Sequence, residues 1–206
     1  MTIKIYGDIY SGNCYKIKLA ATQLHIPHDW VSINILNNET QTDSFLQKNP
    51  NGKVPLLELA DGTCLAESNA ILHYLAEGSS LLPDERLHHA QILQWLFFEQ
   101  YSHEPYIATA RYIVRYLGRP AEHEERLQQK MTPGYHALYV MEQHLKQYQF
   151  FVAERYTIAD IGLYAYTHVA HEGGFDLDAY PAIRAWLQRV EQQTGYLSMQ
   201  AFDQQS

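Results

Sequence analysis

The strongest constraint on what this chain can fold into lies between Asn49 and Ile71, which reads N-P-N-G-K-V-P-L-L-E-L-A-D-G-T-C-L-A-E-S-N-A-I. Turn, strand, hairpin, strand and helix start follow one another within it. Val54-Pro55 stands before the apolar run Leu56, Leu57, Leu59. Proline cannot donate to a ladder, so it belongs at a strand start or an edge. That leaves the backbone of Val54 available to an extended peptide added from outside. Asp61-Gly62 is a two-residue hairpin signal of type I′. Glu67-Ser68 then opens a helical pattern through Ala70, Ile71, Leu72, Tyr74 and Leu75, and a helix N-terminus attracts carboxylates. A short acidic peptide reaching from Val54 to Ser68 fits this stretch. Hairpin-on-helix packing with no ligand fits it equally well.

Upstream, Ile3 and Ile5 followed by Tyr6-Gly7 read as a strand and turn. The loop Asp8 to Asn13 leads into a helix with Cys14, Ile17, Ala21 and Leu24 on its apolar face and Lys16 and Lys18 off it. Pro27 ends that helix. Asp29 to Leu36 alternates as a second strand, and Asn37 to Lys48 is a polar loop with a short helix around Phe45-Leu46. The order β-α-β-α-β-β-α therefore fills residues 1–78, with a crossover helix between the first two strands.

After Gly78 to Asp84 the period is helical throughout, so residues 86–206 form an all-α half. Leu87 to Tyr116 is aromatic-rich and bent at Pro105. Gly118-Arg119-Pro120 breaks the pattern, and Ala121 to Tyr148 is expected to be interrupted at Thr132-Pro133-Gly134. Thr157-Ile158-Ala159-Asp160 is a capping sequence with aspartate at its fourth position. Pro181 suits the first turn of a helix carrying Ile183, Trp186, Leu187 and Val190 on one face. The tail from Gly195 is weakly patterned.

A net charge of −8 argues against a nucleic-acid surface. No apolar run approaches the roughly 20 residues of a membrane span. Two cysteines give no disulfide framework. The opening residues read as a strand rather than a signal peptide, so a cytoplasmic location is expected. His168 and His171 share an i, i+3 spacing, but no histidine–carboxylate set has strong ligand spacing, and no metal is expected.

A thioredoxin-like half followed by a helical half is an uncommon pairing. With Ser11-Gly12-Asn13-Cys14-Tyr15-Lys16, Asn49 to Pro55, Glu67 to Ile71 and Thr157 to Ile161 in this order, the chain resembles the cytosolic glutathione transferases over nearly its whole length. The resemblance is strongest to their bacterial theta-like and nu-like branches. It implies a fold of a thioredoxin-like N-terminal domain (βαβαββα) joined to an all-α C-terminal domain that lines the pocket for a small electrophile. It also implies a homodimer, glutathione as co-substrate and no metal.

The resemblance assigns roles to residues. Val54 pairs its backbone with the cysteinyl part of glutathione, beside a cis Pro55. Ser68 and the helix start take the γ-glutamyl carboxylate, and Glu67 takes its amine. Lys53 faces the glycyl carboxylate, and of Thr40-Gln41 only Gln41 offers a side chain for that end. Tyr106 and Arg111 fall at the wall of the electrophile pocket. Glu99 or Glu104 is placed to reach the γ-glutamyl amine of a partner subunit.

The chemistry falls to Ser11, with Asn13 as an amide donor beside it. Three readings of Ser11-Gly12-Asn13-Cys14 stand together here: a capping loop, a redox motif that has lost its first cysteine, and a loop that stabilises a thiolate. A fourth concerns Cys14, as a reactive thiol at a helix start or a buried inert one. Conjugation of glutathione to small apolar electrophiles is the leading expectation. A glutathione-dependent disulfide or peroxide reductase on the same site and a non-catalytic module that keeps the fold are its rivals.

Overall fold

The computed structural model describes residues 2–203 and divides the chain into two compact units, Met1–Ser79 with Gln193–Ser206, and Ser80–Gln192. In the first unit, β1 (Ile3–Gly7), α1 (Gly12–Gln23) and β2 (His28–Ser32) form a crossover, and β1 and β2 pair in parallel, Ile5 opposite Trp30. Parallel neighbours need such a crossover connection. A short helix, α2 (Asp43–Leu46), precedes β3 (Leu56–Glu58), β4 (Cys64–Ala66) and α3 (Ser68–Ala76). β3 runs antiparallel to both β1 and β4, giving the sheet order β2-β1-β3-β4. The central strands β1 and β3 contribute the fully buried Ile5, Leu56 and Leu57, and α1 packs against α3. This is the thioredoxin-like arrangement.

β2 is shorter than its alternating pattern. Asn34 Oδ1 accepts from the N–H groups of Leu36 and Asn37, and this local cap turns Ile35–Asn37 into a 3₁₀ turn. Lys16, expected off the apolar face of α1, is fully buried and donates from Nζ to Asn69 Oδ1 at 3.1 Å. The weakly patterned tail groups with this first unit. Tyr15 Oη donates to the Leu197 carbonyl at 2.6 Å, and Trp30 packs edge-on against Phe202 with ring centroids 4.7 Å apart.

The second unit is helical: α4 (Arg86–Phe98), α5 (Glu104–Arg111), α6 (Glu124–Leu145), α7 (Ile158–Thr167) and α8 (Pro181–Glu191). In the first unit again, α9 (Met199–Asp203) is the last element. The bend expected at Pro105 is a π-helical stretch, Glu99–His103, that hands over to α5 with proline in its first turn. Proline lacks the N–H that a tighter turn would use, and a widened turn accommodates it.

The expected break at Pro133 is absent, and α6 runs through it. The next residue, Gly134, lies so close to Phe175 that a Cβ there would stand 2.5 Å from the ring. Tight packing of this face outweighs the local proline cost.

Every residue of α7 is buried. Thr157 and Asp160 form the reciprocal cap read from the sequence. Asp160 reaches further: its carboxylate accepts from Trp186 Nε1 at 2.9 Å and Phe151 N at 3.2 Å, as well as from Thr157 N and Oγ1. Among the described residues, no helix is long and apolar enough to cross a membrane.

Candidate functional site

The sequence-derived binding residues of the first unit fall on four segments: the N-terminus of α1, the 3₁₀ turn Glu39–Gln41, the loop before β3, and the N-terminus of α3. The loop is braced from inside. Asn49 Nδ2 donates to the Lys53 carbonyl at 2.8 Å, Asn49 Oδ1 accepts from Asn51 N, and Gln41 Nε2 donates to the Gly52 carbonyl at 3.2 Å. Gly52 takes φ +60°, where an added Cβ would press on Gln41 Nε2 at 2.6 Å, so glycine is required. Val54-Pro55 is cis. Pro55 is buried and Val54 half-buried. Among the described residues, no group pairs with the N–H or C=O of Val54. Lys53 and Gln41 are exposed, and Gln41 is engaged by the loop it braces.

At the head of α3, Glu67 takes φ +70° and ψ 113°, a region that side chains other than glycine rarely occupy. Holding it costs on the order of 1–3 kcal/mol, and such outliers concentrate at binding sites. Its exposed side chain makes no capping bond, so the carboxylate is directed outward rather than spent on the helix. Ser68 follows, buried, and its hydroxyl donates to Asn13 Oδ1 at 3.1 Å. The first N–H groups of a helix have no intrahelical acceptor, so α3 presents amide donors here.

Ser11 is the N-cap of α1, and its Oγ accepts from Cys14 N at 3.4 Å. Ser11 is half-buried. Cys14 is fully buried, and desolvation pushes its thiol up to about 12 against the opposing hydrogen bond from Ser11. It is therefore a packed thiol and not a nucleophile at neutral pH.

The remaining expected residues lie in the helical unit. Tyr106 lies on α5, half-buried, with Lys130 Nζ 5.5 Å from its ring centroid. Arg111, expected at a pocket wall, is 2% exposed, with Nε donating to Glu172 Oε2 at 2.7 Å. That burial leaves it little surface to line a pocket. Glu99, expected to reach a partner, is fully buried, and Gln100 Nε2 donates to both Glu99 and Glu104. Glu104 is half-buried. Among the described residues, no group of three histidine, cysteine, aspartate or glutamate side chains could hold a metal ion.

Sequence reasoning passed over Asn49 and Lys16. The asparagine was visible as part of N-P-N-G, where such residues brace turns through their side chains. Nothing in the local pattern marks Lys16 as buried.

The chain matches the family models for the glutathione S-transferase N-terminal domain over residues 1–77 and the C-terminal domain over residues 99–194. A crystal structure of a glutathione S-transferase from Pseudomonas fluorescens is 57% identical to it, covering 97% of this chain and 99% of that one, with a TM-score of 0.95. Elongation factor 1-gamma of Artemia salina is 34% identical over 82% of this chain, which spans only 40% of that protein. The disulfide-bond oxidoreductase YfcG of Escherichia coli strain K12 is 28% identical over 89% of both proteins.

Proposed function

Because the chain belongs to the glutathione S-transferase family, we propose that its first unit binds glutathione and activates the thiol for conjugation to small apolar electrophiles. The observation that carries this reading is the unpaired backbone of Val54, flanked in the same unit by two helix N-termini. The cysteinyl part of glutathione pairs with Val54 as an added strand. The γ-glutamyl carboxylate meets the first-turn amides of α3. The Ser68 hydroxyl is already donated to Asn13, so these amides carry most of that contact. Glu67 takes the γ-glutamyl amine, which gives its strained backbone a purpose. Lys53 takes the glycyl carboxylate, with Gln41 shaping the loop beneath it.

The thiol needs about two pKa units of lowering from about 8.5 to be mostly ionised at pH 7, or about 2.7 kcal/mol. A hydroxyl donating to a thiolate contributes roughly 1.5–3 kcal/mol, and the N-terminus of α1 adds roughly 0.3–1. Ser11 supplies the first and the helix it caps supplies the second, with the Asn13 amide as a further donor. No general base is required.

One other reading has a specific observation behind it. Similarity to a disulfide-bond oxidoreductase favours glutathione-dependent disulfide reduction on the same residues. The burial of Cys14 then requires that chemistry to run through the glutathione sulfur. Similarity to elongation factor 1-gamma raises a non-catalytic module, and the complete cradle at Val54, Glu67 and Ser68 speaks against it. A homodimer is part of the proposal. Leu93, Phe97 and Tyr101 recur every four residues and are 39%, 68% and 86% exposed, a stripe suited to a second copy.

Retention on immobilised glutathione with elution by free glutathione tests the binding claim, and passage straight through the column would remove it. Parallel assays with an aryl halide and with a model disulfide, each with glutathione, then separate transferase from reductase.

A further inference from the structure

The helical unit holds a cavity of about 330 Å³ between the middle of α4, the end of α6 and the turn that follows. That volume falls within the range of small-molecule sites, about 300–1,000 Å³. Trp95, His144, Tyr148 and Phe151 form its aromatic walls. His144 stacks on Phe151 with ring planes 9° apart, and Trp95 packs against both rings. Aromatic cores ordinarily close without gaps and pair their polar atoms. This one does neither. Trp95 is only 8% exposed, yet among the described residues no acceptor meets its indole N–H. The other tryptophan of this unit, Trp186, donates its N–H to Asp160 at 2.9 Å. A donor so enclosed is costly unless something pairs with it. Gln91 and Gln94, three residues apart and so on one side of α4, also line the cavity. Their carboxamides make no hydrogen bond among the described residues.

The rim is built against local preference. Arg155 N donates to the Val152 carbonyl at 3.2 Å, closing a two-residue turn in which Ala153 and Glu154 take φ +55° and +53°. Such positions favour asparagine and glycine, and left-handed backbone at other residues collects at binding sites. The turn sets Ala153 and Glu154 on the cavity wall. Glu154 is the ionised group among the lining residues, and its charge is already met. Its Oε2 accepts from Gln149 N at 2.9 Å, and it acts on the Arg189 guanidinium. Lys146 and Arg189 line the adjoining hollow together with Glu154. Burial pushes the His144 imidazole below its ordinary value, so that ring is neutral at pH 7. The signs balance at the mouth, and an occupant needs no charge. We propose that this cavity is a second ligand site, for a small neutral planar heterocycle that carries a hydrogen-bond acceptor beside a donor, as a bicyclic lactam does. Its ring lies among the aromatic walls, its acceptor takes the Trp95 N–H, and its donor reaches a glutamine carboxamide. Every residue involved belongs to the helical unit, so the inference stands apart from the glutathione reading.

The full chain is titrated calorimetrically with 2-quinolone and with N-methyl-2-quinolone, which keeps the ring and the carbonyl but has no N–H. Wild type should bind 2-quinolone with a Kd below about 1 mM, and the N-methyl form about tenfold more weakly. Trp95→Phe keeps an aromatic wall and removes the indole N–H, so it should weaken both compounds about tenfold. The paired change Gln91→Ala with Gln94→Ala should weaken 2-quinolone to the level of its N-methyl form and leave that form unchanged. A wild type that binds neither compound overturns the proposal. So does equal binding of the two compounds, and so does binding that both variants retain, which places the ring elsewhere in the protein. If Trp95→Phe fails to fold, the glutamine variant, altered at partly exposed residues, decides alone.

Discussion

Asp160→Ala should destabilise the helical unit by an amount that depends on pH, because burial has raised the pKa of the carboxyl it removes. Truncation leaves the Trp186 and Phe151 N–H groups, both in buried residues, without their acceptor. Each such orphan costs roughly 1–3 kcal/mol, and loss of the α7 cap costs about 1 kcal/mol. A penalty of about 4 kcal/mol is a large part of the 5–15 kcal/mol typical of a domain, and lowers Tm by roughly 8–16 °C at this chain length.

Burial pushes the Asp160 carboxyl up to about 6 against its four hydrogen bonds. A carboxyl raised above its unfolded value of about 3.9 stabilises the fold below that value, and the benefit is lost as pH rises through 6. Burial pushes His168 down to about 4, with the Arg111 charge acting in the same direction. An imidazole lowered from about 6.5 contributes stability that is lost as pH falls from there to 4. The two slopes, each amounting to about 3 kcal/mol over its window, largely cancel between pH 4 and 6. Urea denaturation at pH 7 and pH 4.5 should therefore show a penalty for Asp160→Ala that grows by about 2 kcal/mol on acidification. An equal penalty at both pH values would refute the linkage.

His168→Gln should show the converse, a protein that gains stability on acidification from pH 6.5 to 4.5 in the same denaturation series. Iodoacetamide at pH 8 should alkylate the half-buried Cys64 and leave Cys14 untouched until the protein is denatured, as read by mass spectrometry; labelling of native Cys14 would reopen it as a nucleophile. Glu67→Gly should relieve the φ +70° backbone and raise stability by up to about 1 kcal/mol while weakening glutathione binding. Glu67→Ala, which keeps the strain, should lose binding without that gain, and equal melting temperatures for the two would deny the strain.

Much of the fold was legible because several levels of the sequence agreed. Alternation in β1, Asp61-Gly62 at the hairpin and Thr157 with Asp160 at α7 each state a local rule that the tertiary structure keeps. The misreadings arose where a side chain or a packing contact overrode a local pattern. Asn34 ends β2 by capping a turn, although Ile33 and Ile35 continue its alternation. Pro133 is carried through α6 by packing that only the position of Phe175 reveals.

For the candidate site, the motif residues came together where backbone and helix ends do the binding, since those features follow from turn and cap chemistry. Long side chains were less legible. The resemblance put Arg111 at a pocket wall and Glu99 toward a partner, and the helical pattern put Lys16 off the apolar face, yet all three are buried; Arg111 meets Glu172 and Lys16 meets Asn69, both far away in sequence. Burial of a charge depends on a tertiary partner, and one sequence does not name it.

The central claim is that the head of α1 and the Ser11 hydroxyl hold glutathione as a thiolate. The direct measurement is the ultraviolet absorbance of the bound thiolate against pH, for wild type and Ser11→Ala. We expect a bound thiol titrating about two units below its free value of about 8.5. In Ser11→Ala it should rise by about 1–2 units, the equivalent of a charge-assisted hydrogen bond. A bound thiol that titrates near 8.5 in wild type, or one that is unmoved by Ser11→Ala, would contradict it.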